Sequence, residues 1–323
     1  MYAVLIIGIG NRGIAWAQAV RAHARFRLAG VADTDPGVLA GRGAELGIAP
    51  AQRHADYRQA LAGGGYDLAI VVVPNHLHYR VARDVLEADL PCLLEKPFAE
   101  TLGEAEELVS FAECQRLPLV IAQNYRFKKP LQLIAETIRS GHLGALTGVE
   151  ASFHRHRPPR YEHERTMKYP LLFLQVIHHL DWLLSCLPAP IEDLECRLGL
   201  PAASPWQSPS ICHLMLRCRD GVLVSYRGSY ECLGEQTPFN GQWRFEFRDG
   251  DLVLDQAGVL WRIQREQRSR LYEPGQEERS SDELLLDTLY EAISKGTEAP
   301  TSGRRNLDTL RLLFRVIERG QAG

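Results

Sequence analysis

No apolar run in the chain reaches the ~18 residues that a membrane-spanning helix requires. A basic field is missing as well. Lys and Arg number 37 against 40 Asp and Glu, and the formal charge of −3 offers no attraction for nucleic acid or an anionic membrane. The 7 cysteines contain no C-x-x-C pair and form an odd, scattered set. They read as reduced thiols of a cytoplasmic protein, not as a disulfide framework or zinc knuckle. "MYAVLIIGIGNRG" has no basic segment before its apolar run, which ends in glycines, so it reads as a first strand and not a signal peptide. Low-complexity tracts and internal repeats are also missing. What remains is a soluble globular composition, 45% hydrophobic and 24% charged, over 323 residues, a length that suggests two domains.

The first ~120 residues alternate β-rich runs with helix-like segments. The runs are "YAVLIIG" (2–8), "RLAGVAD" (27–33), "LAIVVV" (68–73), "PCLLEK" (91–96) and "LPLVIAQ" (117–123). Continuous apolar strands separated by helices predict a parallel sheet covered on both faces, a doubly wound α/β domain over 1–123. After Asn124 the texture changes. A helix is expected over 130–140, a strand over 145–153 and a helix over about 170–187. Runs such as "SICHLMLRC", "GVLVSYRGSY" and "QWRFEFRDG", joined by short turns, suit an antiparallel sheet. "SSDELLLDTLYEAISKG" opens with helix-capping residues. The second domain, 124–303, is thus an α+β unit with an open, mostly antiparallel sheet. The helix 304–323 is expected to pack back on the first domain. The uncovered sheet face suggests a homodimer or homotetramer.

"GIGNRG" places Gly8, Gly10 and Gly13 in G-x-G-x-x-G between a strand and a helix. The first glycine permits a tight turn, the second lets a pyrophosphate approach the backbone, and the third allows close helix–strand packing. Asn11 and Arg12 share the loop, at a helix N-terminus suited to an anion. Asp33 lies twenty positions beyond Gly13, where a carboxylate receives ribose hydroxyls. Asp33 would repel a 2′-phosphate and Thr34 is no arginine, so NAD(H) is favoured. NADP(H) stays open because Arg12 or Arg42 could neutralise the phosphate. "VVVPNHLHYRVA" sets Pro74, Asn75 and His78 just past a strand's carboxyl end, the ligand edge of such a sheet. Asn75 could cap a helix, touch the cofactor, or both.

"LLEKP" follows the next strand and brings Glu95, Lys96 and Pro97 to the same edge. The glycine loop, Asp33, "PNHLH", "EKP" and the antiparallel domain together resemble the glucose–fructose oxidoreductase/inositol dehydrogenase/MocA (Gfo/Idh/MocA) family. The resemblance spans the chain and includes "SGHLGALTGVEASF" and the ending "TSGRRNLDTLRLLFRVIE". It implies hydride exchange between a nicotinamide and a sugar, cyclitol or related polyol carbonyl. It further implies that Lys96 hydrogen-bonds the reacting oxygen, that Glu95 and Pro97 shape the loop beside the nicotinamide, and that His178 is the general acid/base.

One position departs from the family. An aspartate commonly stands one helical turn before this histidine, and here the position is Leu174 in "YPLLFLQVIHHLD". On an α-helical wheel Gln175, His178, His179, Asp181 and Ser185 share a polar sector, with Leu174 inside it. That sector is read as a wall of the substrate site, with Gln175 and His178 touching substrate, while Asp181 could either partly replace the missing acid or bond backbone and stabilise the domain contact. A carboxylate at 174 could orient the imidazole, which leucine cannot do. His179 reads as a buried core residue. In "FHRHRPPRYEHERTMKYP", Arg155 and its neighbours could grip an anionic substrate. His154 and His156 lack acid ligands at a suitable spacing, so no metal site is expected. Tyr125 and Arg126 of "NYRF" are further candidates for substrate contact. Two other readings stay open: a nicotinamide-binding sensor that has lost turnover, and an enzyme using tightly held NAD for transient oxidation.

Overall fold

Short apolar runs buried on both faces build the first sheet. The computed structural model describes residues 1–277 and 279–321. It contains β1 (Tyr2–Ile7), β2 (Phe26–Ala32), β3 (Arg53–His54), β4 (Leu68–Val71), β5 (Cys92–Leu94) and β6 (Leu119–Ile121). They form a parallel sheet in the order β3-β2-β1-β4-β5-β6. All of β4, β5 and β6 is buried, as helices on both faces require. The strand order reverses at β1, which pairs with β2 on one side and β4 on the other. A ligand crevice opens at such a switch point. β3 escaped the sequence reading because two polar residues carry no strand pattern.

The second sheet follows the other pattern, alternate burial. It comprises β7 (Leu146–His154), β8 (Ile191–Gly199), β9 (Ile211–Cys218), β10 (Leu223–Ser229), β11 (Gln242–Phe247), β12 (Gly250–Leu254), β13 (Leu260–Gln264) and β14 (Gln267–Tyr272). Their order is β14-β13-β12-β11-β7-β10-β9-β8, antiparallel except between β7 and β10. Along β9 and β10 every second residue is buried. Phe153, Trp182, Trp243 and Phe245 fill the core on the inner face. The outer face exposes His213, Met215, Arg217, Leu223 and Arg227. The strand β14 ("QRSRLY") was missed because its side chains are mostly polar.

Two compact units result, Met1–Asn124 with Arg279–Asp308, and Tyr125–Glu278 with Thr309–Gly323. The sequence reading assigned 279–303 to the second domain and the whole last helix to the first. Instead the return to the first unit begins at Arg279. Ser280 caps the helix Ser281–Lys295 in a reciprocal box with Glu283. Asp282 and Asp287 of that helix bind Arg12 and His23 of the first unit, pairings that no local pattern reveals. Only the first turns of the helix Gly303–Gln321 belong to this unit. Among the described residues no helix is long and apolar enough to cross a membrane.

Candidate active site

The three glycines of the loop after β1 are needed for different reasons. Gly8 has φ +91°, and a Cβ there would lie 2.2 Å from the Val72 carbonyl oxygen. A Cβ on Gly13 would lie 2.1 Å from the Gly8 carbonyl oxygen. Gly10 is different: a Cβ there would meet no atom within 4 Å. The space beside Gly10 therefore fits a ligand that comes close to the backbone, as a dinucleotide pyrophosphate does. The helix Asn11–Ala22 begins here without a side-chain cap, and its first bond runs from Ile14 N–H to Gly10 O. The N–H groups of its first turn point toward such an anion. Asp33 accepts from Ile9 N at 2.9 Å and Asp35 N at 3.0 Å, which fixes its carboxylate at the end of β2. Arg42 donates to Ile9 O at 2.6 Å and to Asn11 Oδ1 at 2.8 Å.

Glu95 and Arg12 form the centre of a polar cluster beside this loop. Glu95 Oε1 accepts from Arg12 Nε at 2.6 Å and from Trp16 Nε1 at 2.8 Å. Arg12 also binds Asp282 through both terminal nitrogens, at 2.6 and 3.0 Å. Asn124 donates to the same carboxylate at 2.9 Å. Burial works against the Arg12 charge, but Glu95 and Asp282 outweigh it and raise its pKa. The next residues, Lys96 and Pro97, are joined by a cis peptide bond. His78 is buried beneath this turn, with Nδ1 2.6 Å from Pro97 O and Nε2 2.8 Å from Val73 O. Burial lowers its pKa against the pull of these carbonyls and of Glu95. Neutral His78 has one ring N–H and donates to only one of these two carbonyls, so it packs between the Lys96–Pro97 turn and the segment after β4 and bonds one of them. Neither the turn Asn75–Leu77 nor the helix after it has a side-chain cap, so Asn75 does not cap either.

In the second unit the histidine segment is not a plain α-helix. Residues Leu172–Val176 form a π turn and the α-helix runs over Ile177–Cys186. π turns change which side chains share a face, and they recur at functional sites. Three donors converge on the Phe239 carbonyl: Tyr125 Oη at 3.1 Å, Gln175 Nε2 at 2.8 Å and His179 Nε2 at 2.9 Å. A carbonyl only accepts, so His179 carries its proton on Nε2 and its Nδ1 accepts from Tyr226 Oη at 2.7 Å. Burial pushes the His179 pKa down to about 3. Asp181 is fully buried and binds Arg126 through both oxygens, at 2.6 and 2.7 Å. It also accepts from Thr309 Oγ1 at 2.9 Å. The His178 ring stacks on Tyr125, centroids 4.4 Å apart and planes 9° apart.

Two family models match this chain. The oxidoreductase family with the NAD-binding Rossmann fold matches residues 2–123, and the GFO/IDH/MocA C-terminal domain matches residues 131–252. The chain belongs to the Gfo/Idh/MocA oxidoreductase family. An uncharacterized protein of Sinorhizobium fredii is 22% identical over 347 aligned residues, covering 100% of this chain and 94% of its own. A D-apiose dehydrogenase of Rhizobium rhizogenes is 28% identical over 117 residues, 36% of this chain and 33% of its own. The structure of an Agrobacterium radiobacter oxidoreductase, in complex with NAD+, L-tartaric acid and magnesium, superimposes with a TM-score of 0.90. It is 21% identical, and the match covers 99% of this chain and 96% of that one.

Within the Gfo/Idh/MocA frame, several side chains read from the sequence as substrate contacts have partners inside their own unit. Arg126 is held by Asp181, which overcomes the effect of burial and raises its pKa. Arg155 stacks on the Phe239 ring at 4.4 Å and donates to Thr237 O. Arg157 pairs with Glu164, and Arg165 with Glu162, so the basic stretch neutralises its own acids. The expected polar sector does not act as one face: the π turn interrupts the wheel, Gln175 and His179 share the Phe239 carbonyl, and Asp181 turns instead to Arg126. Asp181 is therefore no substitute for an acid at 174. The sequence reading missed Asp282, Lys128 and the Phe239 carbonyl, since nothing in their local sequence marks their roles. Among the described residues no group of three or more His, Cys, Asp or Glu side chains could hold a metal ion.

Proposed function

We propose that this Gfo/Idh/MocA protein is an NAD(H)-dependent dehydrogenase acting on a sugar-like, cyclitol or related polyol/carbonyl substrate. The observation that carries the reading is the glycine loop, open at Gly10 alone and flanked by the fixed carboxylate of Asp33. Gly8, Gly10, Gly13 and the N–H groups at Asn11 would hold the pyrophosphate. Asp33 would receive the adenosine ribose hydroxyls, and Pro74 and Asn75 would border the cofactor. The two arginines that could neutralise a 2′-phosphate have other partners: Arg12 binds Glu95 and Asp282, and Arg42 binds the loop itself. This favours NAD(H) over NADP(H).

When bound, the nicotinamide supplies the hydride acceptor or donor. Lys96 hydrogen-bonds the reacting oxygen, held by the turn that His78 and Glu95 support. His178 exchanges the hydroxyl proton. A polyol substrate agrees with the D-apiose dehydrogenase and tartrate-bound relatives. The test is a cofactor titration followed by an absorbance screen at 340 nm with polyols, sugars and their acids. NADH should bind more tightly than NADPH, and Lys96→Met should abolish substrate-dependent absorbance change while cofactor binding persists. Tight NADH binding without turnover across the panel would favour the sensor reading instead.

A further inference from the structure

His178 lacks the upstream carboxylate of its family because position 174 is leucine, yet its ring is held against a neighbour by other means. Tyr125 lies face to face with it, 4.4 Å between centroids at an interplanar angle of 9°. Two aromatic planes this close and this parallel restrict each other's tilt.

Tyr125 is itself fixed at three points. Its hydroxyl accepts from Gln175 Nε2 at 3.0 Å and donates toward Phe239 O at 3.1 Å. The Lys128 ammonium lies 3.4 Å from the Tyr125 ring centroid and donates to Asn240 Oδ1 at 2.6 Å. An ammonium that close fills the space a stacked ring needs, so Lys128 and His178 occupy opposite faces of the tyrosine. Burial raises the Tyr125 pKa to about 12, so its hydroxyl stays protonated and able to donate. Only 6% of the residue is exposed. Both functions of the hydroxyl are occupied within the unit, which leaves Tyr125 suited to support a neighbour and not to bind substrate.

We infer that Tyr125, clamped by Lys128, Gln175 and the Phe239 carbonyl, is the positioning residue for His178 and does the orienting work of the absent carboxylate. The inference rests on the proposed function, in which His178 moves the substrate proton. A stacked ring fixes the imidazole plane without adding a negative charge. Mutual support also accounts for the neighbouring sequence: Gln175 of the π turn reaches the Tyr125 hydroxyl, and its neighbour Leu174 need not carry an acid.

The test combines a direct view of the ring with kinetics. In the full-length protein, the His178 ring signals are assigned by their loss in His178→Gln. They should be shifted upfield by the Tyr125 ring current. The shift should vanish in Tyr125→Leu and survive in Tyr125→Phe. With the best substrate of the panel, Tyr125→Leu should lower kcat by roughly 10- to 100-fold while KM changes by less than about twofold. Tyr125→Phe should recover most of that loss. In a His178→Ala background Tyr125→Leu should cost little more, because the two act as a unit. If Tyr125→Leu does not fold, Lys128→Met loosens the clamp from the far face and should show a smaller loss of the same kind. Unshifted His178 signals in an active wild-type enzyme overturn this inference alone. So does a loss carried by KM, or a Tyr125→Phe as impaired as Tyr125→Leu. Absent turnover in the wild type, with the ring shift intact, instead sinks the proposed function and with it the catalytic purpose of the platform.

Discussion

At the residue scale, Gly10 and Gly13 separate binding from folding. Gly10 has an ordinary φ of −60° and empty space at its Cβ, so a side chain fits the fold and occupies only the ligand's approach. Gly10→Val should leave the melting temperature within experimental error and weaken NADH binding by ten-fold or more, on the order of 1.4 kcal/mol, as a fluorescence titration would show. Gly13→Ala drives a methyl group into the Gly8 backbone oxygen. It should lower Tm, with a cost of about 1–3 kcal/mol typical of overpacking. A melting curve unchanged by Gly13→Ala would contradict that assignment.

His179 gives a second residue-scale test. An unfolded histidine titrates near 6.5, whereas this buried one is held down to about 3. Between those values only the unfolded chain takes up the proton, so stability falls as pH drops through that window and is fully retained above it. The slope contributed cannot exceed about 1.4 kcal/mol per pH unit for one proton. Chemical denaturation from pH 7 to pH 4 should therefore show a steeper decline for wild type than for His179→Asn. Equal slopes would mean that His179 is protonated in the fold. Its burial was legible from the apolar run around it, but its partners Tyr226 and Phe239 lie far off in the chain and were not.

At the element scale, the π turn at Leu172–Val176 determines what position 174 can do. The sequence reading expected an uninterrupted helix over 170–187, and on such a helix Leu174 stands one turn before His178. Apolar periodicity identifies the helix but cannot reveal a π turn, which depends on how the turn packs. With Tyr125 already fixing the histidine plane, Leu174→Asp should raise kcat by less than about twofold. A gain of ten-fold or more would show that His178 lacks an orienting partner. Elsewhere local signals were sufficient: Gly141, at φ +67°, ends the helix Lys129–Ser140 at its C-cap, and Ser280 with Glu283 starts the helix Ser281–Lys295. Where the strand signal is weak, as at β3 and β14, polar residues form the element because neighbouring strands supply the pairing.

At the scale of the whole molecule, the parallel and antiparallel sheets were both legible from their contrasting apolar patterns. The boundary at Arg279 was not, because it depends on contacts between distant residues, such as the ion pair of Arg12 with Asp282, 270 positions apart. The outer face of the second sheet leaves Met215 and Leu223 about half exposed among charged residues. We propose that this face packs against another copy. Light scattering should then report a dimer or tetramer, and Met215→Glu combined with Leu223→Glu should reduce it to monomer with secondary structure intact. The central claim, hydride exchange with a polyol-type carbonyl, is tested most directly by isotope tracing. The protein would be incubated with NADH deuterated at nicotinamide C4 and the carbonyl form of the best substrate, and the product analysed by mass spectrometry. The expected result is one deuterium on the carbon that bears the new hydroxyl, lost in Lys96→Met. Product formed without deuterium, from either face-labelled cofactor, would contradict the account.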